Sequence, residues 1–94
     1  MRKLIKALKL CALAHGLEGF VSREDAQFYI LTCNIPVAAD IQSIVTGFTG
    51  SKDAVDADFN HGWITVFLGE CKILPKEKID WMVIQMALPY RIKL

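Results

Sequence analysis

Residues 63–74, Trp63-Ile64-Thr65-Val66-Phe67-Leu68-Gly69-Glu70-Cys71-Lys72-Ile73-Leu74, admit two readings, and the fold turns on which one holds. As a helix, Trp63, Phe67, Cys71 and Leu74 form one apolar stripe, with Val66 between them. As a β-hairpin, Trp63 to Leu68 is a continuous apolar strand and Gly69-Glu70 a two-residue turn. The β-branched run Ile64, Thr65 and Val66 favours the strand. The helix is the preferred reading and the hairpin at 63–74 the alternative.

The segments on either side read as helices. Downstream, Pro75 precedes a helix over about 76–88, which Pro89 ends before a tail, Tyr90 to Leu94, that suits an extended chain. Ile79, Met82, Val83 and Met86 form its main stripe, and Trp81, Ile84 and Leu88 form a second one. Upstream, Ser51 caps a short helix over about 52–60, with Val55 and Phe59 one turn apart. Pro36 suits the first turn of a helix over 36–48, whose stripe is Val37, Ile41, Ile44, Val45 and Phe48. Ser22-Arg23-Glu24-Asp25 resembles a capping box opening a helix that runs to about Cys33. Ala26, Ile30 and Cys33 line one side of it, while Phe28 and Leu31 point elsewhere. Residues 2–15 form an amphipathic helix with Leu4, Leu8 and Cys11 on one face and Arg2, Lys6 and Lys9 on another, and Gly16 stops it.

Short connections make sequential helices antiparallel neighbours. The expected fold is therefore all-α, a single domain over 1–94 built from three short stacked α-hairpins: 2–15 with 22–33, 36–48 with 52–60, and 63–74 with 76–88. Such a solenoid presents an extended groove to partners. The alternative is an α+β fold with a β-hairpin at 63–74.

The first pair resembles a tetratricopeptide unit. Leu10, Leu13, Ala14, Leu17, Ala26, Ile30 and Cys33 fall at the offsets where that repeat places bulky, small and bulky residues, and Trp63, Val66, Phe67, Ile79, Val83 and Met86 follow similar offsets. The match covers about half of the chain. Gly16 and Gly19 break the first helix early, the middle pair fits poorly, and Glu70 stands where an apolar residue is expected. Small type III secretion needle chaperones are similar in size and helix-hairpin plan. The resemblance implies a groove that binds a partner's helix.

Composition points toward a covered surface. Apolar residues make up 53% of the 94 without counting glycine, above the roughly 45–50% of ordinary domains with glycine included. Residues 26–50 contain one charged side chain, Asp40. The surplus over one small core is assigned to a partner-binding surface made of Phe20, Phe28, Leu31, Phe48, Trp63, Trp81, Ile84 and Leu88. Large aromatics such as Phe20, Phe48, Trp63 and Trp81 also suit a core. The expected function is a non-enzymatic adaptor, chaperone or inhibitor that covers an apolar segment of another protein or of its own copy.

Charge is distributed unevenly behind a net +1. Residues 1–17 hold four cations and no acid, residues 18–70 are acidic, and residues 71–94 are basic again. Nucleic acid is disfavoured as a partner, because a binder of phosphate carries a larger positive field. The basic face of residues 2–9 keeps a nucleic-acid-associated regulator as the alternative. A helix-turn-helix through 23–33 and 36–48 would put Asp40, with no Lys or Arg, on its reading helix.

No chemistry-bearing motif stands out. Asp56-Ala57-Asp58-Phe59-Asn60 begins like a calcium loop, but His61 replaces the turn glycine and Phe67 the bidentate glutamate. His15, His61 and the three cysteines are read as lying at neither finger-like nor i, i+4 ligand spacings, so no metal, no cofactor and no catalytic residue is expected. An odd cysteine count without CxxC suits a reducing, cytoplasmic compartment. Lys6 and Lys9 interrupt any export signal, and no run of about 20 apolar residues is present to span a membrane.

Overall fold

The structure, a computed structural model, describes residues 1–88. It is an α+β fold with three helices and one four-stranded antiparallel sheet. The expected helical solenoid is overturned. The predicted helix stop at Pro89 and the tail over 90–94 lie outside the described residues.

Two predicted helices are present. Helix α1, Arg2–Ala14, buries Leu4, Ala7, Leu8, Cys11 and Ala12. These fall at i, i+3, i+4, i+7 and i+8, one face of a 3.6-residue period. Helix α2, Ile35–Thr49, buries Val37, Ala38, Ile41, Ile44, Val45, Gly47 and Phe48. Asn34 caps it, its Oδ1 accepting from the Val37 N–H at 3.0 Å, and Pro36 sits in the first turn. Gly50 ends it in the left-handed conformation.

The predicted helix over 22–33 is instead a β-hairpin, with strands β1 (Gly19–Ser22) and β2 (Gln27–Ile30). The Ser22–Asp25 pair that resembles a helix cap holds the turn. The Ser22 Oγ accepts from the Asp25 N–H at 3.3 Å and donates to the Asp25 carboxylate at 3.0 Å. Along β2 the side chains alternate, Phe28 and Ile30 buried, Tyr29 and Leu31 not. The predicted helix over 52–60 is likewise a strand, β3 (Val55–Asp58), and its turn.

The deciding stretch divides. Trp63–Phe67 is strand β4, as its β-branched run favours, and Leu68–Glu70 is one turn of 3₁₀ helix. The 63–74 helix is thus overturned, and so is the self-contained hairpin, because β4 pairs with β2 and β3 rather than with residues after Glu70. The last predicted helix shrinks to α3, Trp81–Ala87, preceded by a 3₁₀ turn at Lys76–Lys78. Asp80 starts α3, its Oδ1 accepting from the Val83 N–H at 3.1 Å.

The order along the chain is helix, hairpin, helix, hairpin, helix. In space the strands run β1-β2-β4-β3, so the two hairpins meet through β2 and β4. The two hairpins match residue for residue. Four residues join each strand pair, 23–26 and 59–62, and the last of each, Ala26 and Gly62, has positive φ, +50° and +79°. Asp58 plays the part of Ser22, its Oδ1 accepting from the N–H groups of Asn60 and His61 at 3.0 and 2.9 Å.

The core lies between the sheet and the helices. Phe28, Ile30, Ile64 and Val66 project from the two central strands into one cluster with the buried faces of α1 and α2. Each such side chain contributes about 1.5–3 kcal/mol by leaving water. Helix α3 packs on α2 at Gly47, where a Cβ would stand 2.5 Å from Ile84 Cγ1 and 3.0 Å from the Asp80 carbonyl oxygen.

Candidate functional site

Alternation along the strands leaves the sheet with a second face, turned away from the helices. Register places Phe20, Tyr29, Thr65 and Asp56 in one row across all four strands. Ser22, Gln27 and Phe67 form the next row. On the other side of the first row, Trp63 stands opposite Asp58, and Leu31 follows β2 directly. Four aromatic rings and a leucine therefore share this face. Phe20, Tyr29 and Phe67 are half-buried, while Trp63 and Leu31 are 41% and 62% exposed.

The aromatics are organised in pairs. The Phe20 and Tyr29 rings stack with centroids 5.4 Å apart and planes 24° from parallel. Trp63 stacks on His61 at 5.2 Å and 13°. The His61 Nδ1 lies 2.7 Å from the Asp58 Oδ2. Hydrogen bonds from the His61 backbone N–H and ring hold the Asp58 carboxyl below the usual carboxylate range. This face thus carries two anionic groups, Asp56 and Asp58, and no Lys or Arg from its strands.

The residues expected to bind a partner separate into two sets. Phe20, Leu31 and Trp63 come together on the outer sheet face. Phe28, Phe48, Ile84 and Leu88 are buried, at 0–4% exposure, inside the core. Trp81 is half-buried beside them, its ring edge-on to Phe48 at 5.6 Å with the Lys3 ammonium 5.3 Å from its centroid. On α3 the two stripes are exchanged relative to the sequence reading. Ile84 and Leu88 face inward, whereas Met82 and Met86 are 77% and 81% exposed. Tyr29 and Phe67 belong to the outer face but were not among the expected residues. Phe28-Tyr29-Ile30-Leu31 is an unbroken run of aromatic and aliphatic residues, so no local alternation singles out Tyr29.

A polar cluster lies elsewhere, at the seam of α1 and α2. The His15 Nε2 stands 2.8 Å from the Asp40 Oδ2, and Cys11 is the third member. Cys11 and His15, the latter at the C-cap of α1, are four residues apart, the spacing that brings two side chains to one side of a helix. That spacing is present in the sequence, so the expectation of no i, i+4 ligand pair is wrong for Cys11 and His15. The arrangement does not make an activated thiol. Cys11 is fully buried, and burial, with the Asp40 charge adding to it, pushes its thiol up to about 12. A nucleophilic cysteine needs the opposite shift and access to substrate.

Two open grooves border α1. One, of about 750 Å³, is lined by Ile5 and Lys9 of α1, by Phe20 and Val21 of the edge strand β1, and by Leu68. The other, of about 430 Å³, is lined by Arg2, Lys6, Lys9 and Arg23 around Ile5, Leu10 and Leu13. Among the described residues no helix is long and apolar enough to cross a membrane. Comparison with family models, curated proteins and solved structures finds no match to this chain.

Proposed function

We propose that this chain is a non-enzymatic protein-binding module, an adaptor, chaperone or inhibitor in kind. It covers an apolar segment of a partner, or a second copy of itself, with the outer face of its sheet. One observation carries the reading: Phe20, Tyr29, Leu31, Trp63 and Phe67 share a face, and none of them belongs to the core cluster between the sheet and the helices. Aromatic residues dominate interface energetics because they bury large areas at low entropy cost. Asp56 and Asp58 on the same face repel a phosphate backbone and favour protein over nucleic acid there. The three cysteines are unpaired, which suits a reducing compartment such as the cytoplasm.

The test uses the two exposed members, whose replacement leaves the core intact. Leu31→Asp and Trp63→Ala should keep the circular dichroism and melting of the parent while abolishing self-association or partner capture in light scattering and co-purification. A parent chain that stays monomeric at high concentration, binds no exposed-hydrophobe dye and brings no partner from its host would end the proposal.

A second reading rests on the cationic groove. Arg2, Lys6, Lys9 and Arg23 surround it and no acid lines it, an arrangement that suits the nucleic-acid-associated regulator. That reading requires binding to duplex or single strands that weakens steeply with salt and with neutralisation of Lys6 and Lys9. Absence of binding at low salt removes it.

A further inference from the structure

We propose that Cys11, His15 and Asp40 form a site for a divalent cation of the zinc class at the seam between α1 and α2. The thiol sulfur, an imidazole nitrogen and a carboxylate oxygen all lie within 4.8 Å of one another. Cys11 lies in the last turn of α1, His15 is the residue that caps that helix's C-terminus, and Asp40 comes from α2. All three therefore stand on or next to regular helix, which holds donor atoms more accurately than a loop does.

The donor set selects the metal. Sulfur, imidazole nitrogen and carboxylate oxygen together suit a borderline-soft ion such as Zn²⁺, whereas calcium and magnesium take oxygen donors. With metal–ligand distances of about 2.0–2.3 Å, tetrahedral ligand atoms lie roughly 3.3–3.7 Å apart. The three donor atoms, all within 4.8 Å of one another, would draw together into that range on binding, and the His15–Asp40 pair at 2.8 Å would open slightly. Charge also balances. Binding displaces the Cys11 thiol proton to solvent, and one thiolate plus one carboxylate neutralise the divalent ion, so the loaded, half-buried seam carries no net charge.

Access is one-sided. Cys11 is sealed against the core, while the His15 and Asp40 side chains remain 24% and 34% exposed. A metal would enter from their side, and water would complete its fourth position there, as in three-ligand sites. Bound, it would join the first helix to the second at a point where the protein otherwise has one imidazole–carboxylate pair.

Cobalt(II) reports this directly, because a thiolate ligand gives it an intense sulfur-to-metal charge-transfer band. The chelator-treated full chain is titrated with Co²⁺, then with Zn²⁺ as competitor. The expected result is one equivalent of Co²⁺ with the charge-transfer band, displaced by one equivalent of Zn²⁺. The band should persist in the Cys33→Ser/Cys71→Ser double variant and vanish in Cys11→Ala. His15→Gln and Asp40→Asn should each weaken binding about tenfold or more, with unchanged circular dichroism. These two positions are partly exposed, so they keep the test decisive if Cys11→Ala fails to fold. No charge-transfer band in the parent chain would overturn the site and leave His15–Asp40 a simple helix-joining pair. A band that survives Cys11→Ala but disappears with Cys33 and Cys71 would overturn it as well.

Discussion

Ala26 and Gly62 occupy the same place in the two hairpins, and both have positive φ. A side chain in the left-handed region costs about 1–2 kcal/mol, of which the extra unfolded-state freedom of glycine offsets roughly half. Ala26→Gly should therefore stabilise the protein by about 0.5–1 kcal/mol, and Gly62→Ala should destabilise it by a similar amount. Urea denaturation of both variants measures this, and a loss of stability in Ala26→Gly would show that the turn is not strained. Cys11 sets a second expectation. Its thiol ionises near 9.0 in the unfolded chain and near 12 in the folded one. The folded state therefore holds a proton that the unfolded state releases between those values. The stability due to the neutral buried thiol is complete below pH 9 and is lost as pH rises from 9 toward 12, by up to about 1.4 kcal/mol per pH unit. Denaturation curves across this window should fall more steeply for the parent chain than for Cys11→Ala, and parallel slopes would refute the assignment.

At the scale of elements, legibility followed length. Helices α1 and α2 span 13 and 15 residues, enough turns for a 3.6-residue period to declare itself. Strands β1, β2 and β3 have four residues each, too few for alternation to outweigh neighbouring helical signals. Ser22-Arg23-Glu24-Asp25 shows the ambiguity at its sharpest, since an oxygen accepting from an N–H three residues on serves a helix cap and a β-turn equally. The contact of α2 with α3 had no sequence signal at all. Gly47 reads as part of the helix's end, yet it lies within α2, where the Ile84 side chain and the Asp80 carbonyl approach too closely for a side chain. Gly47→Ala should cost about 1–3 kcal/mol through overpacking against Ile84. In an Ile84→Ala background that cost should shrink, and a double-mutant cycle by denaturation reads the coupling. Additive effects would mean that the two do not touch.

For the whole molecule, burial divides residues that sequence reasoning grouped together. Phe28 and Leu31 both looked surplus on a two-sided helix. In the sheet Phe28 is fully buried and Leu31 is 62% exposed, three residues apart and on opposite faces. Phe28→Ala should cost about 3–5 kcal/mol, a large share of the roughly 5–15 kcal/mol that stabilises a domain. Leu31→Ala should stay within about 0.5 kcal/mol. Equal costs at the two positions in thermal or denaturant unfolding would contradict this division. The candidate binding face is legible to the same extent. An excess of large apolar residues was visible, and Phe20, Leu31 and Trp63 were among those named. Their meeting on one face depends on β2 pairing with β4 across the intervening helix, a long-range contact that no local pattern encodes.

By itself the sequence determined the two long helices, their buried stripes, the Pro36 start of the second, and an apolar fraction above that of ordinary domains. These follow from periodicity, capping and composition, which act over a few neighbouring residues. Only the tertiary structure decided that residues 19–30 and 55–67 form a sheet, that Phe28, Phe48, Ile84 and Leu88 go inside, and that Asp40 joins Cys11 and His15. A four-residue strand has no stability of its own and exists through its pairing. Which side of an apolar segment meets water is settled by what packs against it, not by the segment.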